Sequence, residues 1–468
     1  MNYACETARV LGAHNIRSYV YKELRPTPQL SFTVRELNAY AGVVITASHN
    51  PKRYNGFKVY GEDGAQLIPD YANKIARNID KIENIFAIKI AELVQLEQRG
   101  LLTWLSANLD HGYLTKLLTL KENDNIELNM KLVYTPLRGA GLVPVREGLQ
   151  AFGFKQVYIV EQQAIQDGAF PTVSYPNPEE PAAFEYAMAL GNEVGADLLL
   201  ATDPDADRLG VAVKSGEGYE LLTGNQLGAL LLNYLLSTKQ VNGTLPDNGV
   251  LLKTIVTSEL GSAIAEQFGV TTVNTLTGFK YIAEKISEYE RSGKYTYLFG
   301  YEESYGYLIE TFVRDKDAVQ VALKVAEMAA YYAKDGQTLL DVMQALYRQY
   351  GYYREALVSQ VFEGKNGQEE MKAILDNLRQ EVPVSISDME VIRFEDYLTG
   401  IATLANGITE EIALPKENVL KFVLVDGSWV AIRSSGTEPK CKFYFGVVGE
   451  TAEATSKKIE RLQMVFNV

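Results

Sequence analysis

A chain of 468 residues is too long for one hydrophobic core and, at roughly 100–200 residues per domain, reads as three or four domains. With 47% hydrophobic and 22% charged residues it falls outside the disordered, collagen-like and disulfide-scaffold classes. Cys5 and Cys441 are its only cysteines and His14, His49 and His111 its only histidines, so a thiol- or imidazole-rich metal centre is disfavoured and any metal should be a hard ion held by oxygen. A net charge of -14 argues against nucleic-acid and anionic-membrane partners, yet a local cluster of Lys and Arg can still hold a phosphorylated small molecule.

Residues 2–12 read as a helix with no strand leading into it, and the opening MNYACETARVLG lacks the basic and apolar regions of a secretory leader. The apolar run at 227–236 is too short to span a bilayer, and a cytoplasmic, reducing location is expected. IRSYVY (16–21), a helix at RELNAY (35–40) and AGVVITAS (41–48) suggest a strand–helix–strand unit of a mostly parallel sheet. Residues 72–128 read as mainly helical up to the polar run KENDN. Strands follow at KLVYT and ADLLLATD (196–203), then a turn-rich stretch at 241–249, a strand at 250–256 and a long helix at 317–334. From about Gly351 shorter strands and helices indicate a smaller α+β unit.

Four stretches carry chemistry. In TASHNPKRYNGFK (46–58) an apolar strand ends at Ser48 and Asn50-Pro51 forces a turn, placing a hydroxyl at the carboxyl edge of the expected parallel sheet, where ligands bind. Ser48 and Asn50 satisfying turn backbone is the blander alternative. A direct Ser48–His49 relay is disfavoured, because neighbours on an extended strand point to opposite faces, and the glycines of a hydrolase elbow are missing. In ATDPDADRLGVAV, Asp203, Asp205 and Asp207 alternate directly after a buried strand; three carboxylates so close repel unless a divalent cation or a basic partner neutralises them. An EF-hand is ruled out by Arg208 where glycine is required and by Lys214 at the bidentate glutamate position. In FGYEESYGYL (299–308), Glu302, Glu303 and Ser304 offer acceptors to a polyhydroxylated ligand, or form a simple hairpin tip. In IRSSGTEPK (432–440), Arg433, Ser434, Ser435, Gly436 and Thr437 supply a guanidinium, hydroxyls and backbone N–H groups suited to a phosphate, though an ordinary Ser-Gly loop has the same composition.

In their order, these stretches closely resemble the loops of the α-D-phosphohexomutase superfamily, nearest to the phosphoglucomutase type with TASHNP, DPDADR, GYEES and RSSGTEPK. TPLRGAG (135–141), PNPEEP (176–181), LTGFK (276–280) and VRDKDA (313–318) add to the likeness. The resemblance implies three consecutive mixed α/β/α sandwich domains and a smaller C-terminal α+β domain around a central cleft. The expected parts are a phosphoserine-loop domain (1–127), a metal-loop domain (128–240), a sugar-loop domain (241–352) and a C-terminal phosphate-binding domain (353–468). It also implies that the first domain lacks its opening strand and glycine-rich segment.

By residue, the resemblance makes Ser48 the phosphorylated serine, with Asp203, Asp205 and Asp207 as Mg²⁺ ligands completed by a phosphoserine oxygen. His49 and Lys58 flank the transferring group, and Lys58 is tied to proton transfer. Glu302 and Ser304 bind sugar hydroxyls, with Gly278, Phe279 and Lys280 nearby; Arg433, Ser435, Gly436 and Thr437 grip the non-reacting phosphate. Arg208, Arg314 and Lys316 are further basic contacts, and Arg138 stands where relatives commonly carry His. The implied reaction interconverts glucose 1-phosphate and glucose 6-phosphate through a phosphoserine enzyme, with glucose 1,6-bisphosphate as activator and intermediate. The alternatives are a phosphomannomutase or phosphopentomutase, a shortened remnant that binds sugar phosphates without turnover, or a Mg²⁺-dependent phosphatase. A monomer or weak homo-oligomer is expected.

Overall fold

The computed structural model describes residues 2–123, 126–362, 367–434 and 440–466. The chain divides into two compact units, one of residues 1–252 with 278–340 and one of residues 253–277 with 341–468. Mixed helix and sheet occur in both.

In the first unit, helix Asn2–Ala13 packs Ala8 against Leu96 and Leu102, with Val20 and Trp104 alongside. Strand Ser18–Tyr21 pairs in parallel with Leu102–Leu105, whereas Gly42–Ile45 pairs antiparallel with Phe57–Tyr60, and these are two separate two-stranded sheets. The expected strand, helix and strand therefore occur in order, but the two strands do not share a parallel sheet. The intervening helix spans Thr27–Glu36, not 35–40, because Pro26 and Pro28 fix its start and the chain leaves the helix at Leu37. Residues 72–128 are also not continuous helix, since Leu102–Leu105 is a strand. Its four residues of apolar-rich sequence carry no period of their own, and pairing with Ser18–Tyr21 decides their state. Helix Pro69–Ile79 has no buried residue, and Tyr71, Ile75, Ile79, Ile85 and Phe86 are all exposed.

The next sheet of this unit has the order Gln156–Ile159, Lys131–Thr135, Leu198–Thr202, Leu209–Ser215, Gly218–Leu222. Its first three strands are parallel and its last two antiparallel. Leu198–Thr202 is buried at every residue, as expected for a central strand covered on both faces, and this gives the loop that follows it a fixed base. Helix Gly224–Val241 starts with a capping box in which Thr223 and Gln226 satisfy each other's backbone. Helix Ala318–Ala333 is capped by Asp317, whose carboxylate accepts from the Val319 and Gln320 N–H groups.

The second unit is built on antiparallel strands in the order Tyr352–Val361, Lys440–Gly449, Trp429–Ser434, Val419–Leu424, Met389–Asp396, Ile401–Leu404, Thr409–Glu411, with Ser385–Ile386 paired to the fifth. Helix Ala452–Val465 and the helix at 367–380 lend Leu462 and Leu375 to its core of Leu420, Phe422, Val430, Ile432, Phe443 and Phe445. The buried Lys421 donates to the Ile255 carbonyl at 2.7 Å and so ties the sheet to the 253–277 segment of the same unit. Among the described residues, no helix is long and apolar enough to cross a membrane.

Candidate active site

The strand Leu198–Thr202 ends in the loop that carries Asp203, Asp205 and Asp207, all buried, with one oxygen of each within 4.8 Å of the others. Ala206 adopts a left-handed φ of 51°, and its N–H closes the turn onto the Asp203 carbonyl at 3.0 Å. Neighbouring segments hold the loop backbone. The Thr27, Ala140 and Ala318 N–H groups donate to the carbonyls of Asp205, Pro204 and Ala206 at 2.9, 2.7 and 3.2 Å. Gly139 is required for the closest of these approaches: a Cβ there would overlap the Pro204 Cα and carbonyl oxygen. Gly139→Ala is therefore expected to push the carboxylate loop aside and lower turnover by about 10²-fold, read as kcat beside an unchanged far-UV spectrum.

Ser48 meets this loop. Its Oγ donates to Asp203 Oδ2 at 2.8 Å and lies 3.2 Å from His49 Nδ1. That second contact overturns the expectation that the two side chains point apart. Ser48 lies beyond the end of strand Gly42–Ile45 with φ of 51°, so strand alternation does not apply to it, and the strand it follows is antiparallel rather than part of a parallel sheet. Asn50 closes the turn, its backbone and side-chain N–H groups both donating to the Ala47 carbonyl. Burial, aided by Arg208, pushes the His49 imidazole down to about 3, so it is neutral at physiological pH.

Two lysines face the carboxylates. Lys58 Nζ lies 3.2 Å from Asp205 Oδ2 and 3.7 Å from Asp207 Oδ2, and Lys316 Nζ lies 3.1 Å from Asp207 Oδ2. Burial opposes both charges, but the carboxylates outweigh it and raise both lysines above their ordinary value, so both are protonated. Asp205 is likewise held below the carboxylate range by Lys58 in spite of burial. Asp203 goes the other way, raised by burial and by Asp205 and Asp207. Its Oδ1 accepts from the Asp207 and Arg208 N–H groups at 3.0 and 3.1 Å. Among the described residues, Asp205 Oδ1 and Asp207 Oδ1 are buried with no hydrogen-bond partner. Two orphaned anionic oxygens beside a third carboxylate and a hydroxyl form a donor set suited to a hard divalent cation such as Mg²⁺.

The turn after strand Thr296–Tyr301 adjoins this centre: Arg208 bridges to Gly306, and the Leu209 N–H donates to the Tyr305 carbonyl at 3.1 Å. Glu302 is buried and accepts the Gly278 N–H at 2.9 Å, where Gly278 has φ of 110° at the start of helix Phe279–Ser292. The Lys316 ammonium lies 5.6 Å over the Phe279 ring, and Lys280 lies 5.1 Å over Tyr281. Ser304 is half-buried at the tip of the turn. Arg208 pairs with Glu179. Burial pushes the Glu302 carboxyl up to about 7, against the pull of Lys316. The folded chain thus keeps a proton that the unfolded chain releases near 4.5, and stability contributed by this group falls as pH rises from about 4.5 to about 7. Glu302→Gln is expected to flatten that slope, by up to about 3 kcal/mol across the window, in urea unfolding measured at each pH.

Arg314, Arg138 and Arg433 have partners of their own. Arg314 is buried and occupied by Glu290 and the Thr311 carbonyl. Arg138 donates to the Gln162 and Ile165 carbonyls at 2.6 and 3.3 Å, clamping the 162–165 segment. Arg433 belongs to the second unit, where its Nε is 3.8 Å from Glu417. Ser435, Gly436 and Thr437 lie outside the described residues. Conversely, Thr27, Tyr60 and Asp315 were not foreseen: the Thr27 hydroxyl donates to Asp205 Oδ2, and Tyr60 donates to Asp315, which in turn holds Lys316 at 3.1 Å. Asp315 lies within VRDKDA; Thr27 and Tyr60 have no local signal.

A mixed α/β chain whose loops converge a serine, three aspartates and two lysines is a phosphoryl-transfer architecture in its chemistry. The chain belongs to the phosphoglucomutase/phosphomannomutase family. Models of that family match it over residues 2–86 (alpha/beta/alpha domain I), 111–216 (domain II), 223–350 (domain III) and 359–460 (the C-terminal domain). It is 39% identical over 453 residues to a phosphoglucomutase of Staphylococcus haemolyticus, covering 96% of this chain and 81% of that protein. Among solved structures it is similar in fold to a phosphoglucomutase (parafusin) of Paramecium, with a TM-score of 0.72 at 18% identity over 99% of this chain and 85% of the other. A putative phosphomannomutase of Thermus thermophilus has a TM-score of 0.67 at 20% identity, covering 98% of this chain and 86% of the other.

Proposed function

We propose that the protein interconverts glucose 1-phosphate and glucose 6-phosphate through phosphorylated Ser48. The observation that carries this reading is the 2.8 Å bond from Ser48 Oγ to Asp203, inside a buried triad in which Asp205 Oδ1 and Asp207 Oδ1 have no hydrogen-bond partner among the described residues. The similarity to the Staphylococcus phosphoglucomutase supports glucose as the sugar.

Phosphoryl transfer asks for alignment and charge neutralisation more than covalent help, and the site supplies both. The phosphoryl group leaves Ser48 Oγ for the free 6-hydroxyl of glucose 1-phosphate: the serine O–P bond breaks, the sugar O–P bond forms, and the 6-hydroxyl proton replaces the one that the Lys58 ammonium gives to Ser48 Oγ. The resulting glucose 1,6-bisphosphate turns over in the site and returns its 1-phosphoryl group to Ser48, leaving glucose 6-phosphate. Lys58 and Lys316, both protonated, counter the negative charge, and Lys58 is the group we assign to proton transfer. Neutral His49 is placed beside Ser48 Oγ to orient it. Asp203, Asp205 and Asp207 are the residues that would hold Mg²⁺, which when bound neutralises charge on the transferring group. We assign Glu302 and Ser304 to the sugar hydroxyls, with Gly278, Phe279 and Lys280 bordering them and Arg208 and Lys316 as basic contacts. Arg433, Ser435, Gly436 and Thr437 are assigned to the non-reacting phosphate. We read the chain as four parts, 1–127, 128–240, 241–352 and 353–468, and the cytoplasm is the expected setting.

Intact mass after incubation with glucose 1,6-bisphosphate and Mg²⁺, paired with conversion of glucose 1-phosphate, tests the reading. A phosphoryl adduct with turnover supports it. Binding with neither adduct nor turnover marks a non-catalytic binder, and inorganic phosphate as main product marks a phosphatase. Because the family model spans phosphomannomutases as well, preference for mannose 1-phosphate or a pentose phosphate in the same assay would transfer the mechanism to that sugar.

A further inference from the structure

The Asp205 carboxylate is held from two sides. Lys58 occupies its Oδ2 from strand Phe57–Tyr60, and so does Thr27, the first residue of helix Thr27–Glu36, through a hydroxyl 3.0 Å away. Thr27 is fully buried, and its N–H also donates to the Asp205 carbonyl at 2.9 Å. One residue of the first helix after the opening strand thus grips both the backbone and the side chain of an aspartate 178 positions away.

This two-point grip has a geometric consequence. A carboxylate turns easily about its terminal torsion, so a lone lysine, a near-spherical charge, does not fix which oxygen it engages. The directional O–H bond from Thr27 does fix it: Oδ2 faces Thr27 and Lys58, and Oδ1 is left buried and, among the described residues, without a hydrogen-bond partner.

We infer that Thr27 is a positioning residue for the divalent cation, presenting Asp205 Oδ1 as a ligand and excluding the orientation in which Lys58 takes both oxygens. The inference rests on the metal assignment proposed above. Outer-shell bonds of this kind shift metal affinity by about 10–100-fold when removed. Thr27→Val keeps the side-chain shape and deletes the hydroxyl; Thr27→Ser restores it. Thr33→Val is the control, a buried hydroxyl on the same helix that bonds only to Tyr21 and the Gln29 carbonyl.

The readout is the rise in thermal unfolding midpoint of the full chain as Mg²⁺ or Mn²⁺ alone is titrated, together with the Mg²⁺ concentration for half-maximal turnover. The half-saturating concentration is expected to rise by about tenfold or more in Thr27→Val, and to stay near wild type in Thr27→Ser and Thr33→Val. If Thr27→Val does not fold, Thr27→Ala is read in the same titration. Equal midpoints for wild type and the variant lacking the hydroxyl overturn the positioning role and leave the metal assignment standing. No cation-dependent rise in the wild type overturns the metal assignment, and the inference with it.

Discussion

Ser48→Ala is expected to abolish the phosphoryl adduct in intact mass and lower turnover by at least about 10⁴-fold, because it deletes the hydroxyl proposed above as the acceptor. The fold should survive. Asp203 loses one neutral donor at Oδ2 but keeps the Asp207 and Arg208 N–H groups at Oδ1, so the cost is about 1 kcal/mol. Sugar-phosphate binding should persist, since the Glu302 turn is untouched. An adduct that remains on the alanine variant would place the acceptor elsewhere and remove Ser48 from the mechanism.

Asp205→Asn should be nearly as severe. The amide keeps the shape and can still accept from Thr27, but the charge opposite Lys58 is gone and an anionic oxygen becomes a neutral one. Losing a hard anionic ligand weakens a divalent cation and its charge neutralisation together, for which several kcal/mol and about 10³-fold in turnover are reasonable. The cation-dependent rise in unfolding midpoint should vanish with it. The metal-free variant also loses the nearest partner of the Lys58 ammonium and should unfold earlier than the wild type. A variant that keeps both its cation response and its turnover would show that Asp205 is not a ligand.

The two substitutions fall on segments that meet through the Ser48–Asp203 contact, and those segments were unequally legible. The carboxylates could be read because their alternation after an apolar strand is improbable without a neutralising partner, and the structure does bury all three. The conformation of Ser48 could not be read. A left-handed φ of 51° at a serine is set by the Asn50 turn and by Asp203, 155 positions on, and extended-strand geometry gave the wrong relation to His49. Arg314 shows the converse: a cation in a promising stretch whose charge is already taken by Glu290.

Composition, motif chemistry and motif order in this chain specify an α/β protein with a nucleophilic hydroxyl, an acidic ion site and phosphate-compatible loops, since each of those signals is local and a residue's chemistry does not depend on where the chain goes next. Only the tertiary structure decided that strand Ser18–Tyr21 pairs with Leu102–Leu105, that Thr27 selects an oxygen of Asp205, and that Tyr60 and Asp315 stand behind Lys316. Such pairings join segments from some eighty to more than two hundred and fifty positions apart, and their energy comes from burial and from satisfying polar groups in a low-dielectric interior, which leaves no periodicity in the sequence.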